Sequence, residues 1–278
     1  MKNDRLKSIL GIPYFLFLVI FVVCPVLILL YYAFTNGAGE FSLANFTLFF
    51  TDSKAIGTLI YSVMVAVVTT IVCLLIAYPV AYLLAKGEFR RGNVLLMLFV
   101  MPMWINFTLR ITALKEILTL IEGNLAFHPF LNTVIGMTYD FLPFMILPIY
   151  NTIAKIDHSY IEAAKDLGAK SYRVFLRVIL PLSIPGIISG ITMVFLPSMT
   201  NYVVLDMMYN STYIMGSLVG SYFSMYDWNN GSVISMILLI LILLLSTITG
   251  EFSDKEDNAY RIKKTNTKSV LPLEWFCC

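Results

Sequence analysis

The sequence predicts an all-α polytopic membrane protein with six transmembrane helices and with its N- and C-termini cytoplasmic. Three observations carry that expectation: the composition, the spacing of long apolar stretches, and the placement of Lys and Arg. Of 278 residues, 59% are hydrophobic and only 13% are charged, with a mean hydropathy of +0.82. Soluble domains carry about 25% charged and roughly 45–50% apolar residues. Lipid, not water, is therefore the solvent this chain suits. The net charge of +2 is too small to imply a nucleic-acid partner.

About 20 apolar residues are needed to cross a bilayer as a helix. Six stretches meet or approach that length: Ile12–Tyr32, Ile56–Leu84, Val94–Ile111, Thr133–Ile153, Leu182–Leu205 and Val233–Thr249. Prolines interrupt several of them (Pro25, Pro79, Pro102, Pro143, Pro148, Pro185 and Pro197). Membrane helices tolerate this where neighbouring helices and hydroxyl side chains re-satisfy the freed backbone groups. Gly186 and Gly190 form a G-x-x-x-G pair. Such a pair permits close helix approach, and it also arises by chance in a glycine-containing helix.

The first stretch follows Lys2, Arg5 and Lys7, an arrangement shared with signal peptides. It is too long for a 7–15-residue h-region, and no small-x-small cleavage site follows. It is expected to remain as a first span. Orientation follows from Lys and Arg, which collect on the cytoplasmic side. Of 19 such residues, only Lys54, Arg110 and Lys115 fall to the outside when the N-terminus is placed inside. An even number of spans is implied. Three regions result: 1–57, a first helix with an outer loop; 58–252, a core of five helices carrying an inner loop at 157–181; and 253–278, a polar cytoplasmic tail expected to be disordered. Between spans, Ala113–Glu122 has the spacing of a short amphipathic helix lying at the outer interface.

The inner loop reads as helix–turn–helix. Ser159 with Glu162 three residues on forms a capping box. Gly168 supplies a C-terminal stop. Ser171 can cap a second helix, Tyr172–Ile179, expected to end before Pro181. Ala163 and Ala164 leave one face of the first helix low enough to meet another surface closely.

This loop resembles the EAA motif of ABC-importer permeases: Glu-Ala-Ala, three residues, Gly, nine residues, Ile-x-Leu-Pro. Glu162, Ala163, Ala164, Gly168, Leu180 and Pro181 fall at the matching positions, and Val178 stands where the motif has isoleucine. Further along, Met101–Arg110, Phe141–Tyr150 and Glu162–Ala169 are similar to the spermidine/putrescine (PotB-like) permease family, whose fold is the MetI-like transmembrane domain. The resemblance implies a non-catalytic membrane subunit in the bacterial cytoplasmic membrane. It implies an ABC ATPase dimer that binds the ATP, a homologous second permease subunit and an extracytoplasmic polyamine-binding protein as partners. The matching loop residues would then couple ATPase motion to alternating access. The last residues, Lys263–Cys278, resemble no permease ending, and Cys277-Cys278 does not complete a C-a-a-X box.

A polycation favours carboxylates and aromatic faces. Asp140, flanked by Tyr139, lies in the fourth apolar stretch, and Trp104 and Asn106 lie in the third. These four are the candidate substrate-path residues. An intramembrane carboxylate must face a cavity or a partner, so Asp140 either lines a path or pairs with Arg110. Trp104 faces lipid, core or substrate. Asp206 and Asp227 face the binding protein or water. No cofactor, metal ligand set or catalytic constellation is expected: His128 and His158 stand apart, and Gly168-Ala-Lys-Ser171 lacks the second glycine of a phosphate loop. An importer of another small solute, a standalone channel and a membrane enzyme are the alternatives. An oxyanion path would need inward Arg or Lys, a channel has no use for an EAA loop, and an enzyme would show paired ionisable residues within its spans.

The charge distribution makes a direct prediction. A reporter active only in the cytoplasm will function when fused after Gly87 or Glu251 and stay silent after Gly37; activity after Gly37 would invert the topology.

Overall fold

The computed structural model describes residues 13–87, 92–208 and 214–247. Lys2, Arg5, Lys7, Arg90, Arg91 and the tail at 253–278 lie outside the described residues. Regular structure within those residues is helical, apart from an isolated antiparallel bridge between Thr35 and Phe41.

In chain order the helices are α1 (Pro13–Ala33), α2 (Ala44–Thr51), α3 (Ser53–Lys86), α4 (Gly92–Val100), α5 (Phe107–Glu122), α6 (Pro129–Ala154), α7 (His158–Asp166), α8 (Ser171–Thr200), α9 (Val203–Met208), α10 (Met215–Ser224) and α11 (Trp228–Thr247). Among the described residues α1, α3, α6, α8 and α11 are each long and apolar enough to cross a membrane. They cover five of the six expected stretches. None of the apolar window of α1 is buried, and Phe15, Phe17, Phe21 and Leu27 all point outward. A helix that is apolar on every side and covered by nothing belongs in lipid.

The expected continuous span Val94–Ile111 is corrected. α4 runs into a 3₁₀ turn at Met101–Trp104, the backbone turns extended at Ile105, and α5 departs at 96°. Pro102 has no N–H to continue the ladder. Asn106 then caps the new helix, its Oδ1 accepting from the Thr108 N–H at 2.9 Å. At 1.5 Å per residue α4 with its 3₁₀ turn spans about 20 Å, short of a hydrocarbon core of about 30 Å. A sixth crossing therefore needs the bent pair α4–α5 as a whole. The helix expected over Ala113–Glu122 accordingly begins earlier, at Phe107.

The stretch expected over Leu182–Leu205 is also redrawn. The helix begins at Ser171, passes through Pro181 and ends at Thr200; α9 follows as a separate turn. Continuation through Pro181 is possible because Phe175–Ile179 forms a wide π-turn, in which the Leu180 N–H bonds to Phe175 O. That wider turn relieves the clash between a proline ring and the carbonyl four residues back.

Packing divides the chain into two compact units, 13–61 with 214–242 and 62–208 with 243–247 among the described residues. In the first, Ala33, Phe49, Ala55, Met215, Val233 and Ile234 make the core. Asn229 Nδ2 donates to Tyr32 O and Thr35 O at 3.0 and 2.6 Å, holding the end of α1 in place. In the second, α6 is the most buried of the spanning helices and packs most extensively against α8. Gly186 and Gly190 face it. A Cβ on Gly186 would lie 2.5 Å from Thr152 Oγ1 and 2.8 Å from Pro148 O; one on Gly190 would lie 2.6 Å from Met145 Sδ. The G-x-x-x-G pair thus serves close helix approach. Gly136, on α6, leaves the same kind of room for Val204 and Met208 of α9.

Because the Gly186 contact is partly with backbone, Gly186→Ala will lower unfolding stability by about 1–3 kcal/mol, the usual cost of overpacking. Gly220→Ala, in α10 with open space at its Cβ position, will be neutral or slightly stabilising. Chemical unfolding in detergent, followed by circular dichroism, compares the two.

Candidate functional site

The loop at 157–181 is built around two helix ends. α7 starts two residues earlier than a Ser159–Glu162 capping box requires. Asp157 is the N-cap, and its Oδ1 accepts from the Ser159 N–H at 3.0 Å. Asp caps as well as Ser, and its charge also suits the positive helix N-terminus. That hydrogen bond holds the Asp157 carboxyl below the usual carboxylate range, so the cap is ionised at neutral pH and weakens only in acid. Ser159 and Glu162 sit inside the helix instead.

The C-terminal end of α7 is a complete Schellman motif. The Gly168 N–H bonds to Lys165 O at 2.8 Å, and the Ala169 N–H bonds to Ala164 O at 3.0 Å. Gly168 has φ +77°, the left-handed backbone that glycine adopts without strain. α8 begins without the expected Ser171 cap, because Lys170 occupies the N-cap position and makes no side-chain cap bond.

Of the six candidate coupling residues, Glu162, Ala163, Gly168 and Pro181 are exposed, while Ala164 and Leu180 are half-buried. Tyr160, Leu167 and Tyr172 are exposed beside them, with Leu167 at 88%. The loop thus presents a mixed surface, with these apolar side chains standing among exposed Glu162, Lys165, Asp166 and Lys170. Side-chain contacts tie it to the spans. Lys86 Nζ, at the end of α3, donates to Ile156 O at 2.7 Å. The Tyr78 and Tyr82 rings meet the Phe175 ring edge-on at 5.7 and 5.3 Å. Tyr78 Oη and Ser183 Oγ share a hydrogen bond of 2.9 Å. Sequence reasoning missed these fasteners; Lys86, a cation in the last turn of a long apolar helix, was the available signal.

The candidate path residues separate. Arg110 Nη2 bonds to Asp140 Oδ1 at 2.7 Å, with both side chains 7% exposed. The Arg110 guanidinium lies 6.0 Å from the centre of the Tyr139 ring. The pairing alternative for Asp140 is the one seen, and it ties α5 to α6. Arg110 Nε and Nη1 are buried and take no hydrogen-bond partner from the described residues. Trp104, 85% exposed, and Asn106, whose carbonyl is spent on the α5 cap, stand at the α4–α5 break instead of mid-span. Asp206 is exposed, and Asp227 accepts from the Asn230 side chain and backbone N–H. No group of three His, Cys, Asp or Glu that would hold a metal occurs among the described residues.

Comparison with known proteins places this arrangement. The family described as "Binding-protein-dependent transport system inner membrane component" matches residues 5–253. The chain belongs to this family. Members are non-catalytic membrane permeases, and this chain is a multi-pass membrane permease of an ABC importer. Over 265 residues it is 35% identical to the spermidine/putrescine transport system permease protein PotB of Haemophilus influenzae, covering 87% of this chain and 92% of the relative. Over 221 residues it is 34% identical to PotB of Escherichia coli, covering 74% and 80%. Among solved structures, it resembles a bacterial alginate ABC transporter in complex with a pentasaccharide-bound periplasmic protein, at a TM-score of 0.72, 11% identity and coverage of 91% and 96%. It also resembles the MetNI methionine ABC transporter, at a TM-score of 0.59, 16% identity and coverage of 77% and 99%. At such low identities these likenesses speak for the permease fold alone.

Removing one partner of a buried ion pair costs about 3–5 kcal/mol, because the other charge is left uncompensated. Asp140→Asn and Arg110→Gln will each reduce recovery of folded permease, and the double variant will recover more than either. Strictly additive losses, read by fluorescence-detected size exclusion, would show instead that the two charges act separately.

Proposed function

We propose that this chain is a permease subunit of an ATP-driven importer for spermidine and putrescine, embedded in the bacterial cytoplasmic membrane with both termini inside. Its partners in this reading are an ABC ATPase dimer, a homologous second permease and an extracytoplasmic polyamine-binding protein. The observation that carries the coupling role is the Gly168-centred loop. It is exposed, with Tyr160, Leu167 and Tyr172 standing out among charged side chains, capped at both ends of α7, and fastened to three spanning helices. A surface that must transmit force needs both properties: an accessible face for a partner and no slack behind it. Glu162, Ala163, Ala164, Gly168, Leu180 and Pro181 are the residues assigned to coupling.

The substrate class is supported by the names of the relatives, PotB of H. influenzae and E. coli, and by their cover of most of the chain. Tyr139, Trp104 and Asn106 remain path candidates on the α4–α6 side. Asp140 would join them only in a state where its bond to Arg110 opens.

The test is uptake by the assembled transporter in proteoliposomes. Labelled spermidine will be imported with ATP and not without it; failure to import any polyamine overturns the substrate reading. Gly168→Val forces a β-branched residue into left-handed backbone, costing about 1–2 kcal/mol. It will lower ATPase association or ATP-coupled uptake by about tenfold while membrane insertion persists. Gly168→Asn, which tolerates that backbone, will retain most activity. Normal coupling in Gly168→Val would remove the loop from the mechanism.

A further inference from the structure

The unit formed by 13–61 and 214–242 contains a cavity of about 340 Å³. Its walls come from α2, the start of α3, α10 and α11. That volume is at the lower end of small-molecule sites. The floor is apolar, made by Phe49, Ala55, Val233 and Ile234, whereas the polar groups are Asn45, Thr51, Asp52, Tyr222 and Asn230.

The hydrogen bonds already made determine which polar atoms are left. Asn45 Nδ2 is committed to Thr35 O at 2.8 Å, and Asn230 Nδ2 to Asp227 Oδ2 at 2.8 Å. Thr51 Oγ1 donates back to Thr47 O at 2.9 Å. Both amide orientations are thereby set, since carbonyl and carboxylate oxygens only accept. The oxygen ends of the two amides take no donor from the described residues. Asp52 Oδ1 accepts one backbone N–H, from Lys54 at 2.9 Å, and no cation pairs with this carboxylate among the described residues. Burial first, and then the negative charges of Asp52 and Asp227, push the Tyr222 phenol above its ordinary range, so it stays neutral. Free acceptors and one unpaired carboxylate stand over an apolar floor.

A ligand that fits must bring hydrogen-bond donors, a positive charge and a short hydrocarbon. An alkylammonium meets all three requirements: its NH₃⁺ group has three donors and no acceptor, and its methylenes match the floor. We propose that this cavity is a binding site for the primary alkylammonium end of an aliphatic amine, separate from the Arg110–Asp140 pair. With the N-terminus inside, its lining residues fall in or next to the outer segments, on the side where an importer first meets its cargo. The choice of amine as cargo rests on the proposed polyamine reading, whereas the chemistry of the cavity does not.

The experiment measures equilibrium binding of labelled putrescine to the full-length permease in nanodiscs, without the binding protein, with 1,4-butanediol as the neutral competitor of the same length. Asp52→Asn keeps the cap on the Lys54 N–H and removes only the charge. It is expected to weaken putrescine binding about tenfold, the scale of a lost charge-assisted bond, with an unchanged melting midpoint. Leu48, exposed at the rim, tests the site without touching a cap or the core. Leu48→Lys is expected to weaken binding in the same direction, and butanediol to compete poorly. Binding unaltered by both substitutions, or equal competition by butanediol, overturns the proposal. Wild-type uptake of spermidine in the assembled transporter is measured in parallel. If uptake is normal while both variants bind like wild type, the cavity is excluded and the importer reading stands. If no polyamine is imported yet binding depends on Asp52 and Leu48, the cavity stands and the importer reading falls.

Discussion

The close approach of α8 to α6 is the contact on which the rest of the second unit depends. In lipid there is no water to drive apolar faces together, so helix association relies on dispersion and interhelical hydrogen bonds, both steep functions of distance. Gly186 and Gly190 remove the side chains that would keep the backbones apart, and Pro148, Thr152 and Met145 fill the space. Once α6 is held there, its other faces are committed. Asp140 meets Arg110 of α5, Gly136 admits α9, and Thr138 O accepts a long contact from Cys73 Sγ of α3 at 3.8 Å. The most buried helix is thus also the one that organises its neighbours.

The loop after α6 is tied to the same group of helices. Ile156, two residues beyond the last turn of α6, is held by Lys86 of α3, and Phe175 sits against two tyrosines of the same helix. The π-turn at Phe175–Ile179 lets α8 run unbroken from Ser171 into the membrane in spite of Pro181. A helix that stopped at the proline would leave a joint between loop and span. A continuous one joins the two directly.

The buried ion pair has a different character. Arg110 uses one of its nitrogens on Asp140 and leaves Nε and Nη1 without partners among the described residues, an expensive arrangement in a low-dielectric setting. Buried pairs of this type contribute little net stability compared with an apolar substitute, but they penalise any packing that separates them. Here the pair fastens the helix after the 96° break to the central helix, and so sets where the bent segment returns.

Much of this was legible in the sequence, and for simple reasons. Span length is set by bilayer thickness and read directly from apolar runs, so α1, α3, α6 and α11 fell close to their expected bounds. The Gly168 stop was legible because the left-handed turn it makes is a local property of the backbone. The family resemblance of the loop rested on residues at set spacing, and comparison with known permeases agrees with it. The tertiary structure decided whatever depended on competition between neighbours. Asp157 displaced Ser159 as the cap because two good caps lay two residues apart. Pro102 stands where its helix breaks, whereas Pro181 follows a π-turn and its helix continues. Asp140 was an open choice between path and pair until α5 was seen to bring Arg110 within 2.7 Å. Local rules act over one turn of chain, whereas a charge in lipid is settled by whatever opposite charge the fold delivers to it.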